Sequence, residues 1–255
     1  MNLPRHRPSV WYFLSYVYAT SLVMIEPLKM NGTAILVFAN SSKEELKHKT
    51  IANGEILFNG LTKHTITTVS KTGLPYFHFT ENEQEGSGFG ERFVNAIAAI
   101  FEKGFERVIT IGNDTPQLKV SDILRADRVL GQNKFVLGPS TDGGFYLMGL
   151  NKSHLNSKLL LALPWQTSRL AKSITDLFES KKIRVEFLRR LFDLDKPSDL
   201  RKVLLVYNSI PPHIFQLILE QLALFFTRFW HYIISSYFFI KSEYFNKGSP
   251  HLTSI

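Results

Sequence analysis

The turn Gly112-Asn113-Asp114-Thr115-Pro116 is the segment whose residues most clearly could do chemistry. It follows an apolar, β-type run, so Asp114 would stand at the end of a strand. A carboxylate in that place can hold a hard divalent cation against a diphosphate. Because Asp followed by Thr-Pro is also common loop chemistry, the spacing is equally typical of a turn or a helix cap.

A second carboxylate, Asp142, lies in Pro139-Ser140-Thr141-Asp142-Gly143-Gly144, between two apolar runs. Gly143 and Gly144 allow the backbone to come close to a ligand. Asp142 could serve as a metal ligand or as the base for an acceptor hydroxyl. It could equally be the turn residue of an Asp-Gly hairpin, which the spacing alone favours.

Two further segments could bind an anion. Gly86 to Arg92 precedes a helical pattern and could offer backbone N–H groups and a guanidinium to a phosphate. It is not a dinucleotide-binding fingerprint, because Glu91 stands where the last glycine belongs. The segment 40–49 clusters Lys43, Lys47 and Lys49 after the first strand, which suits phosphates or a solvated helix face.

Composition excludes several other chemistries. The chain has no cysteine, which removes disulfides, thiolate metal sites and cysteine nucleophiles. His64, His78 and His154 lack metal-ligand spacing, and neither a G-x-S-x-G elbow nor a P-loop is present. The net charge is +8, with 30 basic and 22 acidic residues, but residues 31–200 carry only +3 of it. We therefore predict no nucleic-acid partner and a cytoplasmic location.

From Thr33 onward, β-rich runs alternate with helical patterns, which predicts one α/β domain with a mostly parallel sheet and helices on both faces. Strands are predicted at 33–39, 75–80, 107–111, 135–137, 144–150 and 183–188. Helices are predicted at 54–71, 89–103, 121–132 and 168–181, and from 199. Ligands of such sheets bind at the carboxyl ends of the strands, and the unusual residues above lie in those loops.

The two ends differ in composition from the middle. We predict a weakly packed N-terminal extension at 1–29, a domain at 30–207 and an aromatic-rich helical tail at 208–255. The apolar run near the N terminus is interrupted by tyrosines and is a poor match to a signal peptide. Charged residues such as Glu220 make the tail an unlikely transmembrane helix. Its apolar face could cover the domain, form a homo-oligomer contact or lie on a membrane surface.

Six ordered segments carry a family resemblance that covers about residues 33 to 205. The chain resembles a glycosyltransferase-like family of unknown function with the GT-A (Rossmann-like, nucleotide-diphospho-sugar transferase) fold. Members of that family include arsenosugar-biosynthesis-type glycosyltransferases, and it is distantly similar to molybdenum cofactor and phospholactate guanylyltransferases. The segments are Phe38 to Asn40, Gln84 to Arg92, Ile111 to Pro116, Leu137 to Gly149, Pro164 to Ser168 and Asp193 to Leu200.

The resemblance implies a nucleotide site with Mg²⁺ or Mn²⁺. Asp114 would bridge the metal to a diphosphate, and Asp195 would be a second ligand, although it could instead cap the last helix. Gly112 replaces an acidic residue of the family's metal motif, which removes a ribose contact. Asp142 would face the acceptor or the metal. The remaining predicted contacts are nucleotide-binding Ala39, Asn40, Lys43, Lys49, Gly90, Arg92 and Asn113, and substrate-binding Gly143, Gly144, Trp165 and Thr167.

One segment departs from the family pattern. Relatives carry a loop with proline and glycine that ends in Lys-Thr-Arg after the first strand, whereas residues 40–50 here contain neither glycine nor arginine. Only Lys49-Thr50 matches. The leading prediction is transfer of a sugar from a nucleoside-diphosphate-sugar to an unknown small-molecule acceptor. The alternatives are nucleotidyl transfer from a nucleoside triphosphate to a phosphorylated acceptor, and a non-catalytic nucleotide-binding or membrane-associated scaffold.

Overall fold

The computed structural model describes residues 32–49, 51, 54–224 and 226–227. The predicted extension at 1–29 and the tail beyond 227 lie outside the described residues. Within them the chain forms a six-stranded sheet in the order β2-β1-β3-β5-β4-β6. The strands are β1 (Thr33–Phe38), β2 (Tyr76–Phe79), β3 (Arg107–Ile111), β4 (Phe135–Pro139), β5 (Phe145–Asn151) and β6 (Val185–Phe187). All six predicted strands are confirmed.

The sheet is mixed, with one reversed strand. β1 pairs in parallel with both β2 and β3, and β4 pairs in parallel with β6. β5 runs antiparallel to β3 and to β4, with which it forms a hairpin. The carboxyl ends of β1, β3, β4 and β6 therefore meet at one edge of the sheet, as the strand pattern predicts.

Helices cover both faces of the sheet, because successive strand residues point to opposite faces and both faces are apolar. Ala34 and Leu36 of β1 belong to one apolar cluster, and Ile35 and Val37 to another. The first cluster packs under α3 (Phe89–Glu102) and α6 (Leu170–Ser180), the second under α4 (Val120–Leu130). The further helices are α1 (Ser42–His48), α2 (Glu55–Ser70), α5 (Ser157–Leu161), α7 (Pro197–Val203) and α8 (residues 212–224).

The start of the aromatic tail packs against the domain. Ile214, Ile218 and Leu222 of α8 are buried in a third apolar cluster together with Leu57 and Leu61 of α2. The helices approach closely, since a Cβ atom added at Gly60 would lie 2.3 Å from Cδ1 of Leu217. The described part of the tail thus buries one face on the domain. No helix among residues 32–49, 54–224 and 226–227 is long and apolar enough to cross a membrane.

Candidate active site

A cleft of about 370 Å³ opens at the carboxyl edge of the sheet, between the ends of β1, β3 and β4. Of the residues predicted for the site, nine line it: Ala39, Asn40, Lys49, Arg92, Asn113, Asp114, Asp142, Gly144 and Asp195. The sheet topology thus brings together residues that lie more than 150 positions apart in the sequence. Glu45, which was not among the predicted contacts, also lines the cleft, as does Asp193, which lies in the segment expected to supply a second metal ligand.

The ammonium group of Lys49 lies at the centre of the acidic side of this cleft. Its Nζ is 2.8 Å from Oδ2 of Asp114, 3.0 Å from Oδ1 of Asp195 and 3.3 Å from Oε2 of Glu45. It also donates a hydrogen bond to the carbonyl oxygen of Leu194 at 3.4 Å. Burial opposes the charged form, but the three carboxylates outweigh it and raise the pKa of Lys49 above its ordinary value. Lys49 is therefore held as a buried cation.

Helix α1 brings Lys49 to this position; a helix here was one of the two alternatives that the sequence left open for residues 40–49. Ser41 caps its N terminus by accepting a hydrogen bond from the backbone N–H of Glu44. The backbone N–H and the hydroxyl of Ser41 both donate to the carboxylate of Glu81, at 2.7 and 2.6 Å, which anchors the helix to the loop after β2. The segment that departs from the expected family pattern is thus a capped helix that ends next to the lysine.

The segment after β6 supplies two aspartates. Asp193 accepts a hydrogen bond from the hydroxyl of Thr115 at 2.5 Å, and burial followed by repulsion from Asp114 raises its pKa well above the usual range. Burial and the charge of Asp114 also raise the pKa of Asp195, against the opposing effect of Lys49. Asp195 does not cap α7. The carboxylate of Asp199 instead accepts hydrogen bonds from the backbone N–H groups of Asp195 and Lys196, just before the helix.

Asp142 has the turn geometry that is one of the alternatives raised by its sequence. Its Oδ1 accepts hydrogen bonds from the Ser140 hydroxyl and, at 2.9 Å, from the backbone N–H of Gly144. It is thus the turn residue of the β4–β5 hairpin, and it also lines the cleft. Since both hydrogen bonds reach Oδ1, the turn leaves Oδ2 available to a ligand.

The opposite side of the cleft is aromatic and carries Arg92. Phe38, Phe89, Phe93 and Phe145 line it, and the ring of Phe38 packs edge-on against those of Phe89 and Phe93 at 5.7 and 5.2 Å between centroids. The Nε atom of Arg92 is buried and has no hydrogen-bond partner. Since buried donors are normally paired, this guanidinium is suited to an anionic ligand.

Five predicted contacts lie outside the cleft lining. Lys43 is exposed on α1, and Thr167 is exposed, its hydroxyl donating to the carbonyl of Pro164. Trp165 packs behind the aromatic side against Phe89 and Phe93, where it contacts Gly90. Gly143 forms part of the turn and does not line the cleft. The roles predicted for these five residues stay predictions, and none of the five is among the residues that line the cleft.

The cleft fits a divalent cation in donor chemistry and in charge. Five carboxylates line it, those of Glu45, Asp114, Asp142, Asp193 and Asp195, against the charges of Lys49 and Arg92. Carboxylate oxygens are the ligands that Mg²⁺ and Mn²⁺ prefer. Within the described residues, however, no group of three or more acidic or histidine side chains is arranged to hold a metal ion. The place between Asp114 and Asp195 is taken by Lys49.

Residues 45–167 match the profile of a protein family described as "Uncharacterized protein conserved in bacteria (DUF2064)". The match begins in α1 and includes Asp114, Asp142 and Arg92. Among curated proteins, none matches the chain.

Several solved structures are similar to this chain. A candidate nucleotide-diphospho-sugar transferase from Desulfovibrio desulfuricans G20 is 20% identical, with a TM-score of 0.66, and the alignment covers 76% of this chain and 97% of that protein. The 4-diphosphocytidyl-2C-methyl-D-erythritol synthase of Anaerococcus prevotii is 12% identical (TM-score 0.44, 76% and 98% covered). Rv0371c of Mycobacterium tuberculosis is 13% identical (TM-score 0.43, 68% and 97% covered).

The first of these likenesses is close enough to define the fold. The protein has a mixed α/β, GT-A-like fold of the nucleotide-diphospho-sugar transferase type, as the resemblance implied. The arsenosugar-type annotation and the likeness to guanylyltransferases stay predictions. At 20% identity the likeness concerns the fold, so the function must be argued from the cleft itself.

Proposed function

We propose that this protein is a metal-assisted transferase that takes a sugar from a nucleoside-diphosphate-sugar and passes it to an acceptor hydroxyl. The observation that carries the proposal is the convergence of Asp114, Asp142 and Asp195 with Arg92 around one cleft at the carboxyl edge of the sheet. The GT-A-like fold supports it, because proteins with such sheets bind ligands at this edge.

Charge explains why a metal belongs to the proposal. A diphosphate would be repelled by the ionised carboxylates of the cleft. Mg²⁺ or Mn²⁺ held by Asp114 and Asp195 would reverse that repulsion. When bound, the metal would neutralise the charge that develops on the departing diphosphate. The partners of the protein would thus be a metal–nucleotide complex and a small acceptor.

The aromatic side of the cleft would receive the nucleoside. Phe38, Phe89 and Phe145 offer ring faces and edges to a base, and their packing against Phe93 holds them in place. Arg92 would donate from its unpaired Nε to a phosphate oxygen. Ala39 and Asn40 lie at the end of β1, and the side chain of Asn40 is fixed by a hydrogen bond from Gln84 at 3.2 Å.

Asp142 would act on the acceptor. In the proposed reaction the bond between the anomeric carbon and the β-phosphate oxygen breaks, and the acceptor oxygen bonds to that carbon. The acceptor proton passes to the carboxylate of Asp142, and the electron pair leaves with the nucleoside diphosphate. The hydrogen bonds from Ser140 and Gly144 to Oδ1 hold the carboxylate at the cleft while Oδ2 accepts the proton.

Product analysis tests this function. The purified chain is incubated with Mn²⁺, a panel of UDP-, GDP- and ADP-sugars, and a small-molecule cell extract as the source of acceptor. We expect release of a nucleoside diphosphate, and we expect Asp142→Asn to lose it while retaining the fold. Pyrophosphate released from nucleoside triphosphates would instead support nucleotidyl transfer. If neither product forms and no nucleotide binds, a non-catalytic scaffold is the better account.

Three predictions from the sequence stay proposals. We propose a cytoplasmic protein whose catalytic domain spans residues 30–207, followed by the tail at 208–255. Ile214 and Ile218, at the start of that tail, are already buried against the domain. Deleting residues 228–255 is therefore expected to leave the fold intact, and any effect on oligomeric state or membrane partition is measured by light scattering and vesicle co-sedimentation.

A further inference from the structure

Lys49 stands where the proposed function requires a cation. Its ammonium is within 3.0 Å of a carboxylate oxygen of both Asp114 and Asp195. Only 12% of the Lys49 side chain and 25% of the Asp114 side chain are exposed, so solvent screens that pair less than the pair with Asp195, which is 46% exposed. Among the described residues, Lys49 thus supplies the positive charge that lies between these two carboxylates.

A divalent cation and this ammonium group cannot share the position. A Mg²⁺ ion lies about 2.1 Å from each oxygen that ligates it. Bound to both Asp114 and Asp195, it would occupy the space that Nζ fills. The repulsion between an ammonium and a divalent ion would add to this overlap. One of the two must leave.

We propose that Lys49 is an internal counter-cation that competes with the divalent metal for Asp114 and Asp195 and leaves them when the metal binds. The inference rests on the proposed function and specifies how the same site is regulated. The flexible stem of lysine allows the ammonium to move without unfolding α1, whose last residue is His48. Until the metal binds, Lys49 offsets the mutual repulsion of the carboxylates.

The competition couples the metal to the nucleotide. Metal alone must displace an ammonium that then loses two of its three carboxylate partners, so metal alone binds weakly. When a diphosphate accompanies the metal, the diphosphate oxygens can pair with the displaced ammonium group of Lys49. By thermodynamic linkage the nucleotide then strengthens metal binding, and the metal strengthens nucleotide binding by the same factor.

The direct test is Mn²⁺ binding to the full chain in the absence of nucleotide. Calorimetry, and electron paramagnetic resonance of free Mn²⁺, measure the affinity. We expect Lys49→Met to bind Mn²⁺ at least about tenfold more tightly than the natural protein, because the competing charge is gone. Lys43→Met is the matched control, since Lys43 is exposed on α1 and outside the cleft. Equal or weaker affinity in Lys49→Met, or no Mn²⁺ binding by either protein, would overturn the proposal.

A second measurement needs no substitution at Lys49. Acetylation of lysines by acetic anhydride, followed by mass spectrometry, reports how accessible each amine is in the natural protein. We expect Lys49 to be protected without Mg²⁺ and to react several-fold faster with it, while Lys43 and Lys47 stay constant. An unchanged rate at Lys49 in a Mg²⁺ concentration that saturates the protein would contradict displacement.

The two proposals fail in different ways. If Lys49→Met binds Mn²⁺ more tightly but no variant binds a nucleotide-sugar, the competition between Lys49 and the metal is supported and the proposed transferase function is contradicted. Mn²⁺-dependent nucleotide-sugar binding, with no difference in Mn²⁺ affinity between Lys49→Met and the natural protein, would do the reverse.

Discussion

Gly143 lies directly against the backbone of Ser168: a Cβ atom added at Gly143 would stand 1.9 Å from the Ser168 carbonyl oxygen. The backbone of Gly143 has a φ of 95°, and its own carbonyl accepts a hydrogen bond from the N–H of Ala171 at 2.9 Å. The start of α6 therefore fixes the turn that carries Asp142. A remote segment thus positions the proposed base.

We expect Gly143→Ala to destabilise the protein by about 2 kcal/mol or more, because the methyl group meets backbone atoms in a conformation that favours glycine. Urea unfolding measures the loss. Gly73→Ala is the matched control: its φ is 74°, but a Cβ there meets nothing within 4 Å. It should cost only the backbone strain, about 1 kcal/mol. Equal losses in the two variants would contradict the close approach to Ser168.

Arg92→Met should weaken nucleotide-sugar binding about tenfold or more, because a charge-assisted hydrogen bond to phosphate is lost. The melting temperature should hold or rise, since Nε of Arg92 has no hydrogen-bond partner in the unliganded protein. Arg184→Met, at an exposed arginine before β6, is the control and should leave affinity unchanged. Calorimetry and thermal unfolding separate the two effects. Unaltered affinity in Arg92→Met would remove the guanidinium from the site.

We expect the folded protein to lose stability in mild acid because of His64. The ring of His64 lies 5.9 Å from that of His213 on α8. Burial, and then the charges of His213 and Lys71, lower the pKa of His64, against a hydrogen bond with the Pro116 backbone. The unfolded chain therefore takes up a proton at higher pH than the folded protein does. The stabilising effect is present above the unfolded pKa and is lost as the pH falls through the folded one.

We expect the melting temperature to drop between about pH 7.5 and about pH 5, and to drop by a few degrees less in His64→Gln. His48→Gln, which alters a side chain 64% exposed on α1, is the control. An identical acid dependence in the natural protein and in His64→Gln would show that His64 does not contribute.

The sheet could be predicted because its strands are short apolar runs with clear ends. β3 was predicted with the bounds it has, since charged Arg107 and the turn at Gly112 delimit it. Helix α1 was predicted only as one of two alternatives, because its sequence, Ser42-Lys43-Glu44-Glu45-Leu46-Lys47-His48, is mostly polar. Its N-cap at Ser41 is a local contact with Glu44, whereas its anchor at Glu81, 40 positions away, is a tertiary feature.

The candidate site could be predicted in part, because several of its residues directly follow strands that the sequence predicts. Strand order brings the ends of β1, β3 and β4 together, so Asp114 and Asp142 were expected near one another. The ion pairs of Lys49 join residues 65 and 146 positions apart, and no local pattern announces them. The i,i+4 spacing of Glu45 and Lys49 was a usable signal for the third carboxylate. Trp165 was expected at the substrate, but packing against Phe89 and Phe93 places it behind the wall.

The central claim is that Asp114 holds a divalent cation that in turn holds a diphosphate. Calorimetry of UDP-, GDP- and ADP-sugars, with and without Mn²⁺, tests it in the natural protein, in Asp114→Asn and in the control Asp176→Asn, which alters an exposed residue of α6. We expect saturable binding of at least one nucleotide-sugar that requires Mn²⁺. Asp114→Asn should weaken it at least about tenfold with little change in melting temperature, since Lys49 keeps two carboxylate partners. Binding to none of the nucleotides, or equal affinity in Asp114→Asn, would contradict the account.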